Sequence, residues 1–239
     1  RVGRGPVTAQ TDTGCVVEAY GRRVVVARSG GDRISCKVRG RSLEVVAGDQ
    51  VRVSLEASDD EWTVTERLPR RNVLCRSDSR GRSESIAANL DQLGVVVAAR
   101  PACDPFIVDR YLAGASYAGI ATLLVVNKQD LPADSGDLSF VEPLRAIGIP
   151  VVAVSAHAGT GLDALIAALS GQRTMLAGQS GVGKSSLLNA LAGDAIRSIG
   201  RLSERSGEGR HTTVSSAIIR QPWGELADSP GVRDYTPPV

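Results

Sequence analysis

Eight consecutive residues have the types and spacing of a loop that binds phosphate. They are Gly178, Gln179, Ser180, Gly181, Val182, Gly183, Lys184 and Ser185, and Ser186 follows them. In such a loop the glycines let backbone N–H groups close around phosphate oxygens, Lys184 reaches the outer phosphates, and the Ser185 hydroxyl is a ligand for Mg²⁺. An apolar run at 174–177 and a helical pattern at 186–192 provide the strand–loop–helix context that the motif requires. The segment therefore predicts a nucleoside triphosphate site.

A second polar cluster follows an apolar run at 121–126, which predicts a buried strand. It contains Asn127, Lys128 and Asp130. The Asp130 carboxylate can accept hydrogen bonds from N1–H and the exocyclic amine of guanine, a pair of donors that adenine lacks. Asn127 would orient the loop and bond the other edge of the base, while the Lys128 stem covers the ring. This pattern alone is weak evidence, because polar residues commonly follow a strand.

A third segment follows a predicted strand at 150–154. It consists of Ser155 and Ala156, whose backbone is well placed to meet the guanine O6, and a further helix opens at Gly161. The alternative is a plain turn between a strand and a helix. The series strand, Asn-Lys-x-Asp, helix, strand, Ser-Ala and helix has the order seen in GTPases, so the second and third segments support each other.

The segment 228–231 reads Asp-Ser-Pro-Gly and follows a hairpin through 222–224. At the end of a strand, the Asp228 carboxylate would hold Mg²⁺, usually through water, and the Gly231 N–H would face the γ-phosphate. Either Thr212 or Thr213 could supply a second hydroxyl to Mg²⁺, and the sequence leaves both open.

The order of these motifs is a circular permutation of the usual one. In an ordinary GTPase the phosphate loop comes first and the guanine-reading motifs come last. Here 127–130 and 155–156 precede 178–185, and 228–231 comes last. This order predicts a circularly permuted P-loop GTPase domain over 94–239, an α/β fold with a doubly wound, mostly parallel sheet.

Residues 1–75 predict an all-β domain ahead of the α/β part. Short β-prone runs separated by turns containing Gly or Asp occur at 15–19, 23–27, 33–38, 50–55 and 62–66. Five strands in about seventy residues fit an OB-like barrel. Eleven arginines between 22 and 76 suit a nucleic-acid-binding face, although strand arginines also keep a half-exposed sheet soluble. Since Tyr20 and Trp62 are the only aromatics here, contact with a folded RNA backbone is favoured over reading of single-stranded bases.

The composition is that of a globular protein, with 42% hydrophobic residues and a formal charge of +2 that does not by itself imply a nucleic-acid partner. Residues 76–93 are polar and rich in Gly and Ser, which predicts a linker or loop. The four cysteines are widely separated and only two histidines are present, so no Cys/His metal cluster is predicted. No apolar run approaches the ~20 residues of a membrane helix.

Taken together, the barrel, the permuted order and the segments 209–213 (Gly-Arg-His-Thr-Thr) and 228–233 (Asp-Ser-Pro-Gly-Val-Arg) resemble the RsgA (YjeQ) family of small-ribosomal-subunit biogenesis GTPases. The resemblance covers essentially the whole chain. It implies an RNA-binding barrel, a GTPase that uses Mg²⁺ and hydrolyses GTP to GDP and phosphate, and a C-terminal zinc domain. Because Val239 comes before any cysteine cluster, Zn²⁺ is expected only in that further domain and no zinc ligand is assigned in this chain. The implied partners are the 30S subunit and its rRNA, and the implied protein is a cytoplasmic monomer without membrane contact.

The catalytic set predicted from these motifs is Lys184, His211 and Gly231. Ras-like enzymes place a Gln after the Asp-x-x-Gly motif to orient the attacking water, and Val232 stands there in this chain. His211 is the natural substitute, because imidazole can position water near neutral pH, and the family resemblance points to it as well. Slow intrinsic hydrolysis and stimulation by a partner, the small subunit, are therefore expected.

Three other functions remain compatible with parts of this pattern. A kinase or ATPase with the same phosphate loop would not need the segment 127–130, and the relative affinities for GDP and ADP separate it from a GTPase. A nucleotide-dependent RNA-binding switch shares every motif. A large-subunit assembly GTPase is disfavoured by the N-terminal barrel.

Overall fold

The computed structural model describes residues 10–40, 42–55, 61–77, 82–132, 136–193 and 216–229. The chain begins with five strands, β1 (Gln10–Tyr20), β2 (Arg23–Arg28), β3 (Arg33–Val38), β4 (Gln50–Leu55) and β5 (Trp62–Arg67). Their apolar residues alternate with polar ones, as in β4, where Val51 and Val53 are buried while Gln50 and Arg52 are exposed. All five strands expected from the sequence are present.

These five strands close into a barrel. Their order is β1-β2-β3-β5-β4, and β4 returns to pair with β1 from Gln10↔Leu55 to Cys15↔Gln50. The β3–β5 pairing is parallel and the others are antiparallel. The barrel interior is filled by valines with no exposed surface, namely Val16, Val24, Val26, Val51, Val53 and Val64.

A hairpin follows the barrel where a linker or loop was expected across 76–93. It consists of β6 (Val73–Ser77) and β7 (Ser83–Ala88), which pair antiparallel. Leu74, Ile86 and Ala87 are buried in the same core as the sheet that comes next in the chain. The polar residues of this segment occupy its exposed positions. The segment forms a hairpin because its few apolar residues are buried in the neighbouring core.

The remaining chain alternates strands and helices. The elements are β8 (Gln92–Ala98), α1 (Pro105–Tyr117), β9 (Ala121–Asn127), α2 (Val141–Ala146), β10 (Val151–Ala153), α3 (Leu162–Leu169), β11 (Arg173–Ala177), α4 (Lys184–Ala192), β12 (Ser216–Gln221) and β13 (Gly224–Asp228). The sheet order is β10-β9-β8-β11-β13-β12. All these neighbours are parallel except β12, which forms an antiparallel hairpin with β13.

Helices cover both faces of this sheet, as β8 illustrates. Val95 and Val97 belong to one core, together with Val108 and Tyr111 of α1. Val96 and Ala98 belong to a second core, together with residues of α3 and α4 such as Leu165 and Leu187. A strand that is buried on both faces is expected to be a continuous apolar run, which is what 94–99 predicts.

The barrel and the α/β part share one sheet. β1 pairs antiparallel with β12 through Glu18↔Ala217 and Ala19↔Ser216, which gives eleven strands in a continuous order. A register shift between Val16 and Glu18 marks a bulge at Val17. Val16 lies in the barrel core, and its neighbour Val17 points to the other face of the strand, into the core beneath the α/β sheet.

Further hydrogen bonds connect the barrel to the rest of the chain. The Ala47 N–H donates to Ser216 Oγ at 3.0 Å, and both residues are buried. The Gly48 carbonyl accepts from Arg173 Nη1 at 3.2 Å and from Asn89 Nδ2 at 2.9 Å. The loop that precedes β4 thus lies against three different parts of the chain.

Candidate nucleotide site

The carboxyl ends of five parallel strands, β8, β9, β10, β11 and β13, meet at one edge of the sheet. The register aligns Ala98 with Asn127 and Val126 with Ala153, so the segments that follow these strands start at the same level. Open α/β sheets bind their ligands in the crevice at this edge. The phosphate loop, Asn127–Asp130, Ser155-Ala156 and Asp228 all lie here.

The phosphate loop connects the end of β11 to the start of α4. Gly183 precedes the helix with φ +97°, a backbone conformation that favours glycine. A Cβ on Gly183 would lie 2.3 Å from Asn127 Nδ2, so a larger residue would displace the Asn127 amide. Lys184 begins α4, and the first-turn N–H groups and the dipole of this helix point into the loop. The strand–loop–helix context predicted from the sequence is present.

Lys184 folds back over its own loop. Its Nζ donates to the carbonyl oxygens of Gly178 at 2.6 Å and Gln179 at 2.7 Å. The ammonium group is therefore held inside the ring of backbone that would surround a phosphate. Ser185 and Ser186 follow it in the first turn of α4 and are both exposed.

Asn127 links three of the predicted motifs. Its side chain is only 2% exposed. Its Nδ2 donates to the Val182 carbonyl in the phosphate loop at 2.9 Å, and its Oδ1 accepts from the Ala156 N–H at 3.1 Å. The amide group is thus used to hold the phosphate loop and the segment after β10 in a fixed relation.

Asp130 is fully exposed and is oriented by Ser155. The Ser155 Oγ donates to Asp130 Oδ1 at 2.5 Å and accepts from the Ala158 N–H at 2.9 Å. This hydrogen bond is the largest cause that lowers the pKa of Asp130 below its ordinary value of 3.8. A hydrogen bond from the backbone N–H of Asp130 lowers it further, and so do the charges of His157 and Lys128. The carboxylate is therefore kept ionised and available as an acceptor. The sequence suggested a role for the Ser155 backbone, and the structure adds one for its hydroxyl.

Lys128 connects this cluster to the loop after β8. It has φ +63°, and its Nζ donates to the Arg100 carbonyl at 2.9 Å. The next residue, Pro101, lies against the phosphate loop, since a Cβ on Gly181 would be 3.2 Å from its Cγ. The sequence analysis did not predict that Arg100 and Pro101 form a wall of the site. The strand order could have indicated it, because β8 neighbours β11 in a parallel sheet and therefore ends beside the phosphate loop.

The predicted Mg²⁺ ligands are only partly described. Asp228 ends β13, the strand next to β11, and is exposed. His211, Thr212, Thr213 and Gly231 lie outside the described residues. Within the described ranges, no group of three or more His, Cys, Asp or Glu side chains is arranged to hold a metal ion. No helix in those ranges is both long enough and apolar enough to cross a membrane.

Known proteins of one family are similar to this chain in sequence. A family model described as RsgA GTPase matches residues 67–236. A protein of Pseudomonas fluorescens Pf-5 named small ribosomal subunit biogenesis GTPase RsgA is 41% identical over 232 residues, which is 93% of this chain and 67% of that protein. A protein of the same name from Pseudomonas aeruginosa LESB58 is 40% identical over 227 residues, with the same coverage.

Two solved structures are similar over most of the chain. YjeQ from Thermotoga maritima has a TM-score of 0.66 and 29% identity, and the match covers 92% of this chain and 75% of that one. YloQ, described as a circularly permuted GTPase, has a TM-score of 0.64 and 26% identity, with 98% and 76% covered. On the family model and the identity to these relatives, the chain belongs to the RsgA GTPase family.

Proposed function

We propose that this chain is a GTPase that acts in the biogenesis of the small ribosomal subunit and hydrolyses GTP to GDP and phosphate. The observation that carries the proposal is the Asn127 side chain, which joins the phosphate loop to the Ser155-Ala156 segment beside Asp130. This arrangement supports phosphate binding and guanine recognition at one edge of the sheet. The names of the relatives support the biological setting.

Guanine specificity follows from Asp130. Its exposed, ionised carboxylate would accept from the two guanine donors, while the Lys128 stem would cover the ring and the Ser155-Ala156 backbone would meet O6. Adenine has no matching pair of donors and would leave the carboxylate unpaired. The nucleotide-binding set is completed by Gly178, Gln179, Ser180, Gly181, Val182, Gly183, Lys184, Ser185 and Ser186.

Mg²⁺ fits the oxygen groups at this edge. The Ser185 hydroxyl is exposed at the start of α4, and the Asp228 carboxylate is exposed at the end of the adjacent strand. Hydroxyl, carboxylate, phosphate and water oxygens are the ligands that Mg²⁺ prefers. The ion would neutralise charge on the β- and γ-phosphates, and Thr212 or Thr213 would provide the further hydroxyl.

In hydrolysis, the residues of this chain position the reactants and stabilise charge. Lys184 exchanges its two carbonyl contacts for phosphate oxygens, the Gly231 N–H donates to the γ-phosphate, and His211 orients the attacking water. Val232 has no polar group for that last task. Hydrolysis by the free protein is therefore slow, and binding to the small subunit stimulates it.

We further propose that the α/β part is a doubly wound, circularly permuted P-loop domain over 94–239, and that the five-stranded barrel within 1–75 contacts rRNA. The arginine-rich barrel supports the second point. The working protein is a cytoplasmic monomer, and Zn²⁺ belongs to a further C-terminal domain of the family.

The test is GTP turnover by the purified protein with isolated small or large subunits, together with the affinities for GDP and ADP. We expect tighter binding of GDP than of ADP and stimulation by small subunits only. Tighter ADP binding would support a kinase or ATPase, stimulation by large subunits would support a different assembly step, and subunit binding without stimulated turnover would support a switch. His211→Ala should lose most of the stimulation, about 10²-fold or more, and keep its GDP affinity.

A further inference from the structure

A groove of about 580 Å³ lies at the edge of the sheet opposite the nucleotide site. Asp91 and Arg173 line it at the amino ends of β8 and β11, and Trp223 lines it from the turn between β12 and β13. Gln50 of β4 and Arg71 add a wall from the barrel side. The groove therefore lies where the barrel, the link after it and the last hairpin meet.

The charges in the groove favour an anionic ligand. Asp91 accepts from Arg71 Nη2 at 2.6 Å and from the Arg173 backbone N–H at 2.7 Å. Glu225 accepts from Arg173 Nε at 2.7 Å and from Arg220 Nε at 3.0 Å. Both carboxylates are compensated, and three guanidinium groups against two carboxylates leave a net charge of about +1.

The two outer arginines of this groove are accessible. The side chains of Arg71 and Arg220 are 60% and 46% exposed, whereas that of Arg173 is only 13% exposed. Exposed ion pairs contribute little to stability, so these two guanidinium groups can turn toward a ligand at small cost. Arg52 shares the exposed face of β4 with Gln50, but its charge is compensated by Glu66, to which its Nε donates at 2.9 Å.

Trp223 offers a fixed aromatic surface in the same groove. It is half-buried, and its buried part packs against the core that contains α3 and α4. Its carbonyl accepts from the Gly171 N–H at 2.7 Å. A Cβ on the next residue, Gly224, would lie 2.8 Å from the Leu169 carbonyl, so the turn is seated tightly on the end of α3.

We propose that this groove binds a single-stranded segment of RNA, with a base stacked on Trp223 and neighbouring phosphates near Arg71 and Arg220. Stacking on an aromatic ring beside a basic track is the usual physical basis of single-strand binding. The amide of Gln50, which also lines the groove, adds a donor and an acceptor for a base edge. The volume exceeds that of a lone phosphate, and acidic side chains have no ring to stack on Trp223. The identification of RNA as the ligand rests on the proposed function.

The direct test uses fluorescence of Trp223. The chain has two tryptophans, so Trp62→Phe leaves Trp223 as the sole reporter. We expect an RNA decamer of uridine to quench the Trp223 fluorescence saturably. The double variant Arg71→Gln with Arg220→Gln should weaken that binding at least tenfold and reduce its dependence on salt concentration. Arg145→Gln is the matched control, because Arg145 is also an exposed arginine in an ion pair but lies on α2. GDP affinity of the same samples reports whether they are folded.

Three results would overturn the assignment. They are absence of quenching, equal affinity in the double variant, and equal quenching by a decamer of glutamate, which would indicate an acidic protein segment. Stimulation of turnover by small subunits is measured in parallel. If stimulation fails while the RNA decamer still quenches Trp223, the proposed function fails and the groove assignment stands. If stimulation occurs while the double variant binds the decamer normally, the groove assignment fails alone.

Discussion

At the scale of single residues, Ser155 orients the Asp130 carboxylate, the group that we propose binds guanine. Asp130 has no burial of its own to fix its position, and the Ser155 hydroxyl supplies that restraint. Ser155 itself is completely buried and is held by the Ala158 N–H. An exposed acceptor is thus positioned by a buried donor, and each half of this pair can be tested separately.

Asp130→Asn should weaken GDP binding at least about tenfold, because the amide cannot accept from both guanine donors at once. Binding of xanthosine diphosphate should improve in the same variant, since xanthine has an acceptor where guanine has a donor. Both are measured by calorimetric titration. Asp137→Asn is the matched control, because Asp137 is also exposed and its Oδ1 also accepts from a nearby N–H, that of Ser139. Unchanged nucleotide preference in Asp130→Asn would remove the guanine assignment.

Ser155→Ala should raise the pKa of Asp130 toward its ordinary value, because it removes the largest cause of the shift. A pKa that is lower in the folded protein than in the unfolded chain stabilises the folded state at pH values above 3.8. That contribution to stability is lost as the pH falls from there through the lower folded pKa. In the variant, this contribution should therefore be smaller, and its loss should be complete at a higher pH. A carboxyl NMR titration of Asp130 measures the shift directly, and identical curves would show that Ser155 does not control this group. Loss of the hydrogen bond from the Ala158 N–H to Ser155 Oγ should also cost about 1 kcal/mol of unfolding free energy.

At the scale of elements, α4 depends on the residue that precedes it. Gly183→Ala must accommodate both φ +97° and a Cβ 2.3 Å from Asn127 Nδ2. We expect it to displace the Asn127 amide from Val182 and to reduce GDP affinity by about a hundredfold or more, measured by nucleotide titration.

Gly193→Ala is the matched control at the other end of the same helix. Gly193 also has a positive φ, of +50°, but a Cβ there would meet nothing within 4 Å. Because its ψ of −128° is outside the left-handed helical region, the substitution should cost about 1–3 kcal/mol of stability and leave GDP affinity within a few-fold. Equal losses in the two variants would mean that backbone strain, and not the Asn127 contact, controls the loop.

Most elements could be predicted because their signals are local. The Val-rich runs of the barrel and the apolar run at 94–99 are strands, and the phosphate loop lies between a strand and a helix as its motif requires. The hairpin β6–β7 was missed because its pairing depends on tertiary burial. Ile86 and Ala87 enter a shared core, while the residues around 76–84 have a loop-like composition. The wall formed by Arg100 and Pro101 was missed because only the strand order places it beside the phosphate loop.

At the scale of the whole molecule, barrel and α/β part are connected by more than the covalent chain. They share a sheet through β1 and β12, and they share a core that contains Val17 and Ala47 from the barrel side. The pairing between strands so distant in sequence leaves no local pattern, which is why the sequence predicted two neighbours and not one continuous sheet.

The shared sheet predicts a single unfolding transition. Trp223→Phe leaves Trp62 to report on the barrel, and Trp62→Phe leaves Trp223 to report on the last hairpin. Urea midpoints measured by fluorescence of the two variants should coincide. Ser216→Ala leaves the buried Ala47 N–H unpaired, so it should lower both midpoints together, by an amount equivalent to about 1–3 kcal/mol of unfolding free energy. Ser116→Ala, on the exposed face of α1, should change neither midpoint. Separate midpoints would show that the two parts unfold independently.

The pairing of β1 with β12 also determines what happens while the chain is being synthesised. Glu18 must wait for Ala217, which is 199 residues later, and at about 5–20 residues per second this takes roughly 10–40 s. The other partners of β1, strands β2 and β4, emerge within the first quarter of the chain, so the barrel can close early. Until β12 arrives, the segment of β1 around Glu18 and Ala19 is an uncovered strand edge, the kind of surface that pairs with other chains. The nascent protein is therefore most prone to aggregation during the interval between closure of its barrel and arrival of its last hairpin.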